Sequence, residues 1–202
     1  MAAEVPMLVL ASASATRGRL LAAAGLCFEV LPAAVDEDEI KRSLHAEGAP
    51  VRDAAAALAA AKAGRVARRR PGALVIGADQ ILECGGVWYD KPPDLLHARA
   101  QLMALRGREH RLATAVCVMR DDTLLWQHGE APQLTMRPFS DAFLEAYMAA
   151  SGADVLRSVG AYLLEGPGVQ LFSRIVGDYF AILGLPLLPL LEFLRGHGVV
   201  PR

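Results

Sequence analysis

The chain has 202 residues, of which 53% are hydrophobic and 21% are charged, a composition typical of a globular protein with a substantial core and not of a disordered chain. Its 21 basic and 22 acidic residues nearly cancel, so no overall charge favours binding to nucleic acid or to a membrane, and an anion site would have to be local. Three widely spaced cysteines without a C-x-x-C pair argue against a disulfide framework and a cysteine zinc site. The apolar runs are too short for a membrane span or a signal peptide, so we expect a cytoplasmic protein.

Hydrophobic periodicity predicts strands and helices that alternate early in the chain, with strands gathered in its second half. The predicted strands cover 7–11, 74–78, 112–119, 124–127 and 133–137, and Gly85-Gly86 is predicted to turn a hairpin between 80–83 and 87–89. The predicted helices cover 16–24, 53–69, 94–106, 140–151 and 186–195. The alanine-rich helix 53–69 is expected to pack closely against a sheet. This pattern predicts an α/β fold with a mixed sheet flanked by helices.

In the segment Met7 to Gly25, hydroxyl and guanidinium groups lie at the turn between the first predicted strand and the first predicted helix. Ser12, Ser14 and Thr16 precede Arg17 and Arg19. Unpaired N–H groups and the helix dipole favour an anion at such a turn, and arginine matches phosphate oxygens in pairs. We therefore interpret Ser12, Ser14 and Arg17 as candidate phosphate-binding residues. A capped helix start with solvated arginines is the alternative, and the segment alone does not decide between the two.

Two acidic features could support metal binding or base catalysis. The run Asp36 to Glu39 has four successive carboxylates whose repulsion a divalent cation would relieve, although an acidic helix start explains the run equally simply. Asp79, in A-L-V-I-G-A-D-Q, is predicted to end a buried strand at the sheet edge where α/β proteins bind ligands. Gly77 and Ala78 are expected to leave room for a ligand beside it. The alternative is a turn aspartate bonded to local backbone.

Two lysines are further candidates, while the histidines are not. Lys91 precedes two prolines that stiffen its loop, and Lys62 is a lone charge on the alanine-rich helix, from which it could reach the region of Asp79. Either lysine alone is more typical of a surface residue than of a phosphate ligand. The five histidines lack metal-ligand spacing and are interpreted as surface or capping residues.

Taken in order, the motifs resemble the Maf family of nucleoside triphosphate pyrophosphatases. They are L-A-S-A-S-A-T-R-x-R-L-L-x-x-x-G at 10–25, V-D-E at 35–37, A-x-x-K-A around Lys62, G-A-D-Q at 77–80, D-K-P at 90–92, A-L-R-G-R-E-H at 104–110, G-A-Y-L-L-E-G at 160–166 and I-V-G-D-Y-x-x-x-x-G-L-P-L at 175–187. No single motif is specific, but together they span nearly the whole chain.

The resemblance implies hydrolysis of a nucleoside triphosphate to the monophosphate and pyrophosphate with a divalent cation, Mg²⁺ or Mn²⁺. It implies one Maf-like domain over 1–202, similar to inosine triphosphatase, with an elongated mixed sheet and two lobes around a cleft. It also implies a cytoplasmic protein, often a homodimer, that binds neither nucleic acid nor membrane. The family is linked to clearing noncanonical nucleotides and to arrest of cell division.

By position in these motifs, the resemblance assigns the site residues. Asp79 matches the catalytic carboxylate, and Glu37 matches the acidic residue that would hold the metal together with Asp79. The phosphate-contacting positions of the family correspond to Ser12, Arg17, Lys62 and Lys91.

Departures from the family pattern point to substrate selectivity. The first loop reads Ser14-Ala15-Thr16-Arg17 where the family commonly has Ser-Pro-Arg-Arg. Thr16, Gln80 and Glu165 resemble the 7-methyl-GTP branch and not the thymidine and uridine triphosphate branch, so we expect a modified or noncanonical, purine-leaning substrate. The alternatives are dTTP and UTP hydrolysis, or a nucleotide-binding regulator of division with little turnover. Ala181 stands where an Asn is often found.

Overall fold

Eight strands of the computed structural model, which describes residues 6–201, form a mixed sheet. The strands are β1 Leu8–Leu10, β2 Glu29–Val30, β3 Leu74–Cys84, β4 Val87–Tyr89, β5 Glu109–Arg120, β6 Thr123–Glu130, β7 Gln133–Met136 and β8 Phe172–Val176. The order is β2-β1-β3-β5-β7-β8, with β4 paired to β3 and β6 paired to β5. β1 runs parallel to β2 and β3, whereas the β3–β4, β5–β6, β5–β7 and β7–β8 pairs are antiparallel.

The described residues also contain seven α-helices and three 3₁₀ turns. The helices are α1 Ala15–Ala23, α2 Glu37–Ala46, α3 Val51–Ala67, α4 Leu95–Leu105, α5 Asp141–Ser151, α6 Tyr179–Ile182 and α7 Leu187–Gly196, and the 3₁₀ turns are Gly152–Arg157, Val159–Ala161 and Pro167–Leu171. The predicted mixed sheet flanked by helices is confirmed, as is the hairpin at Gly85-Gly86. Side-chain caps explain several helix starts: for α5, the Ser140 hydroxyl accepts from the Phe143 N–H at 3.2 Å.

The chain forms two compact units. The first contains the chain up to Gln80, Thr114–Glu130 and the chain from Asp178 onwards, and the second contains Ile81–Ala113 and Ala131–Gly177. The prediction of a single domain with two lobes around a cleft stays a prediction. Among residues 6–201, no helix has both the length and the apolar character needed to cross a membrane.

Each unit has its own buried core. In the first, side chains from β1, β3, β5, α1 and α7 pack together, with Leu10, Leu21 and Ile76 among them. In the second, His110 is only 3% exposed and its Nε2 lies 2.9 Å from the Tyr162 hydroxyl oxygen. The interpretation of His110 as a surface or capping residue is therefore wrong: it is part of an aromatic cluster, and burial lowers its pKa to about 4.

Strand β3 is longer than predicted, which changes the position of Asp79. The sequence predicts that the strand ends before Asp79, but β3 continues to Cys84. Its first residues pair with β1 as far as Ile76, and residues 82–84 pair with β4. Because β3 exchanges one neighbour for another, it remains extended between them. Asp79 therefore lies within β3, just past the point where β1 ends.

Helix α3 packs directly on β3, as its small side chains predict. A Cβ atom at Gly77 would overlap the carbonyl oxygen of Ala59 and lie 2.8 Å from the Cβ atom of Ala63. The space beside Gly77 is therefore filled by helix α3, and Ala78 is fully buried. The prediction that Gly77 and Ala78 leave room for a ligand is wrong, because close backbone packing takes up that space.

Candidate active site

The turn between β1 and α1 is built around the buried side chain of Arg17. Its Nε donates to the Gly184 carbonyl oxygen at 2.8 Å, and its Nη1 donates to Ser12 Oγ at 3.0 Å and to the Ala78 carbonyl oxygen at 2.9 Å. Ser14 caps α1, since its hydroxyl accepts from the Arg17 N–H at 3.4 Å. These bonds join the turn to β3 and to the segment after α6.

Arg17 therefore has a structural role that the sequence did not indicate. Three of its N–H donors are directed at protein oxygens, and the residue is 8% exposed. The predicted contact of Arg17 and of the Ser12 and Ser14 hydroxyls with phosphate stays a prediction. No local pattern could have revealed the bond to Gly184, because the two residues are 167 positions apart.

Lys62 links the two carboxylates that the sequence singles out. Its Nζ lies 2.5 Å from Asp79 Oδ1 and 2.8 Å from Glu37 Oε1. The packing of α3 on Gly77 places Lys62 beside Asp79, and α2, whose first residue is Glu37, adds the second carboxylate. The Lys62 and Asp79 side chains are 10% and 7% exposed, whereas Glu37 is 39% exposed. Three residues from separate motifs thus form one cluster.

The cluster has an electrostatic effect on the neighbouring turn. Burial lowers the pKa of Arg17, and the negative charges of Asp79 and Glu37 oppose that effect. Arginine keeps its charge even when buried. The site therefore combines two buried cations, Arg17 and Lys62, with one buried carboxylate, Asp79, and one more exposed carboxylate, Glu37.

The carboxylates fit a divalent cation of the kind that the resemblance implies. Within residues 6–201, no group of three or more His, Cys, Asp or Glu residues is arranged to hold a metal ion. Magnesium, however, is commonly bound by one or two carboxylates together with substrate phosphates and water. Asp79 and Glu37 both contact the Lys62 ammonium, so one oxygen of each carboxylate is directed at the same point. The donor set fits such a cation once phosphate completes it.

Gln80 is oriented by its surroundings. Its Nε2 donates to the carbonyl oxygens of Ala181 and Ile182 at 3.0 and 3.1 Å and to Thr114 Oγ1 at 2.8 Å. Because carbonyl oxygens only accept hydrogen bonds, the amide nitrogen must face them. Thr114 donates in turn to Ala181 O at 3.0 Å. Sequence reasoning missed Thr114, which gave no signal within its apolar strand.

The remaining predicted positions belong to α1, to α6 and to the second unit. Thr16 is on α1, where its hydroxyl accepts from Arg19 Nη2 at 3.2 Å. Lys91 and Glu165 belong to the second unit, and both are exposed. Their part in the site stays a prediction. Ala181 is fully buried, and its N–H donates to Asp178 Oδ1 at 2.7 Å, so its backbone makes the polar contacts at this position.

Comparison with known proteins shows which chains this one is similar to. A family model described as Maf-like protein matches residues 7–197. A protein of Granulibacter bethesdensis named nucleoside triphosphate pyrophosphatase is 56% identical over 94% of this chain and 96% of its own length. A protein of Rhodospirillum rubrum with the same name is 54% identical over 99% of both chains. One of Rhizobium meliloti, named 7-methyl-GTP pyrophosphatase, is 50% identical over 96% of this chain and 98% of its own.

Proposed function

The chain belongs to the Maf family, and on that premise we propose that it hydrolyses a nucleoside triphosphate to the monophosphate and pyrophosphate. The preferred substrate is a modified or noncanonical, purine-leaning nucleotide such as 7-methyl-GTP. The names of the similar proteins support this activity, because they include both nucleoside triphosphate pyrophosphatases and 7-methyl-GTP pyrophosphatases.

The observation that carries the proposal is the contact of the buried Lys62 with the buried Asp79 and with the more exposed Glu37. Burying charges is costly, so a structural role alone would be met as well by apolar side chains. Hydrolysis of a phosphoanhydride needs a carboxylate that accepts a proton and cations that neutralise phosphate charge. The cluster holds both kinds of group a few ångströms apart.

In the proposed reaction, water attacks the α-phosphorus. Asp79 accepts a proton from the water as the new phosphorus–oxygen bond forms, and the bond from the α-phosphorus to the bridging oxygen breaks. Pyrophosphate leaves with that electron pair. Lys62 and Lys91 neutralise the β and γ phosphates, and Arg17 and Ser12 contribute donors from the β1–α1 turn. No covalent intermediate is required.

Asp79 and Glu37 are the residues that would hold a Mg²⁺ or Mn²⁺ ion. When bound, such an ion withdraws electrons from phosphoryl oxygens and offsets the charge of the leaving group. Among the described residues, all three cysteines are free, which suits the reducing cytoplasm that we propose as its location. We also propose a homodimer, which size-exclusion chromatography with light scattering tests.

Base selectivity is proposed to depend on Thr16, Gln80 and Glu165. With its Nε2 donating to two carbonyl oxygens, Gln80 offers a fixed acceptor, Oε1. A carboxylate at Glu165 is a second acceptor. Two acceptors match a base that presents N–H groups, as guanine does. Gln80→Thr combined with Glu165→Gln is expected to move the preference toward pyrimidines, and unchanged selectivity would contradict this assignment.

Pyrophosphate release from a panel of nucleoside triphosphates with Mg²⁺ or Mn²⁺ tests the activity itself. We expect Asp79→Asn to lower kcat by about 10²–10⁴-fold, the usual contribution of a positioned base. Asp53→Asn is the matched control, because Asp53 is exposed at the first turn of α3. The proposal fails if the wild type hydrolyses no triphosphate in the panel, or if Asp79→Asn keeps full activity.

A further inference from the structure

Lys62 contacts one oxygen of each carboxylate that is proposed to hold a divalent cation. Its Nζ contacts Asp79 Oδ1 and Glu37 Oε1, the side chains proposed to hold the ion. Magnesium binds carboxylate oxygens at about 2.0–2.1 Å. An ion at those same oxygens and the ammonium therefore compete for the same acceptors. The ammonium contact must loosen before an ion can bind these two oxygens at that distance.

The charges of the cluster also oppose the binding of a divalent cation. Without added ions, the positive charges of Lys62 and Arg17 balance the negative charges of Asp79 and Glu37. A divalent cation entering this neutral group would face two cations in a region of limited water. Such repulsion is only weakly screened by salt, because buried charges are less screened than exposed ones. Lys62 and Arg17 thus oppose the binding of a divalent cation to Asp79 and Glu37 in the nucleotide-free protein.

We propose that Lys62 is an internal counter-ion that keeps the divalent cation off Asp79 and Glu37 until a triphosphate draws its ammonium away. The proposal rests on the proposed function, since the triphosphate is the substrate assigned there. Lys62 has a flexible four-carbon stem and a compact charge, so its ammonium can move from carboxylate to phosphate oxygens. That movement frees Asp79 Oδ1 for the ion.

This exchange couples metal binding to nucleotide binding. A triphosphate brings several negative charges, which compensate the positive charges of Lys62 and Arg17. The negative charges of Asp79 and Glu37 are then uncompensated and attract a divalent cation. Because coupling between two ligands is reciprocal, the ion in turn favours nucleotide binding. The nucleotide-free protein therefore binds the divalent cation only weakly.

The test measures Mn²⁺ binding to the nucleotide-free protein by electron paramagnetic resonance. We expect Lys62→Met to bind Mn²⁺ more tightly than the wild type by a factor of about ten or more, since it removes the competing charge. Arg52→Met is the control, because it removes a positive charge from an 80% exposed side chain at the start of α3. Lys62→Arg keeps the charge and is expected to bind Mn²⁺ as weakly as the wild type.

A variant that is unstable without metal remains informative. Lys62→Met leaves two carboxylates without their counter-ion, which lowers stability. Mn²⁺ is then expected to raise its Tm more than it raises that of the wild type, because a ligand that binds only the folded state stabilises it. Equal or weaker Mn²⁺ binding by Lys62→Met, with no larger rise in Tm, would overturn the proposal.

The outcome is independent of the proposed activity. Mn²⁺ alone is the probe in these measurements, so they give an answer even if no triphosphate is hydrolysed. Conversely, an active wild type whose Lys62→Met variant shows no gain in Mn²⁺ affinity would refute the counter-ion role and leave the activity standing.

Discussion

Replacing Gly77 by alanine tests the packing that brings Lys62 to Asp79. The added Cβ would lie 2.8 Å from Ala63 Cβ and would overlap the Ala59 carbonyl oxygen. Carbon atoms normally approach no closer than about 3.5–4.0 Å, so α3 would have to retreat from β3 by about 1 Å. Overpacking of this kind typically costs about 1–3 kcal/mol, and here the obstacle is backbone, which cannot rotate away. We expect a loss at the upper end, about 3 kcal/mol, a large share of a typical domain's stability of about 5–15 kcal/mol.

The measurement is urea unfolding followed by circular dichroism, with pyrophosphate release recorded on the same samples. Gly64→Ala is the control, because Gly64 is on the same helix and its nearest neighbour, Met119 Sδ, would be 3.6 Å from the new Cβ. Removing a helix-interior glycine is expected to stabilise the protein by about 0.5–1 kcal/mol. Gly77→Ala should lose activity even where it remains folded, since the retreat moves Lys62 from Asp79. Wild-type stability in Gly77→Ala would refute the packing argument.

Three further predictions concern burial. Burial lowers the pKa of His110 to about 4, so the unfolded state gains a proton below about pH 6.5 that the folded state gains only near pH 4. The free energy of unfolding therefore falls by up to about 3 kcal/mol as the pH is lowered from about 6.5 to about 4. In urea unfolding, His110→Gln should show a weaker dependence of this free energy on pH. An equal slope would refute the assignment. Thr114→Val should lower stability by about 1 kcal/mol or more and Thr114→Ser should restore it, because a buried hydroxyl bonds to Gln80 and to a carbonyl oxygen. Maleimide should label Cys27 rapidly in the native protein and should label Cys84 and Cys117 only in denaturant. Burial shields the thiols of Cys84 and Cys117 and raises their pKa. Mass spectrometry that shows all three cysteines labelled at equal rates would contradict this.

Local signals explain why much of the fold could be predicted from the sequence. The Ser140 side chain caps α5, and Gly152 ends it with a φ of 51°, a conformation that glycine adopts readily. The glycine pair at 85–86 turns the hairpin in the same way. The acidic run at 36–39 fits the capped start of α2, although periodicity did not mark that helix. Strand β8 was missed because its residues are mostly exposed and show no alternation.

The residues of the candidate site could be predicted from the sequence, but the contacts between their side chains could not. Asp79, Lys62 and Glu37 could be chosen because charged residues stood out in apolar surroundings or matched a family motif. That Lys62 contacts both carboxylates depends on how α2 and α3 pack, which no spacing specifies. The filling of the space beside Gly77 and the orientation of the Gln80 amide likewise arise from contacts between distant segments.

The bond from Arg17 to the Gly184 carbonyl has a consequence for the order of assembly during translation. The two residues are separated by 167 positions, so a nascent chain emerging from the ribosome presents Arg17 long before its acceptor exists. Contacts of such long range form late, since closing the intervening loop costs entropy that earlier contacts must offset. Synthesis must therefore pass residue 184 before the guanidinium can make all three of its hydrogen bonds. A chain released before that point would keep the acceptors at Ser12 and Ala78 and would lack the one at Gly184.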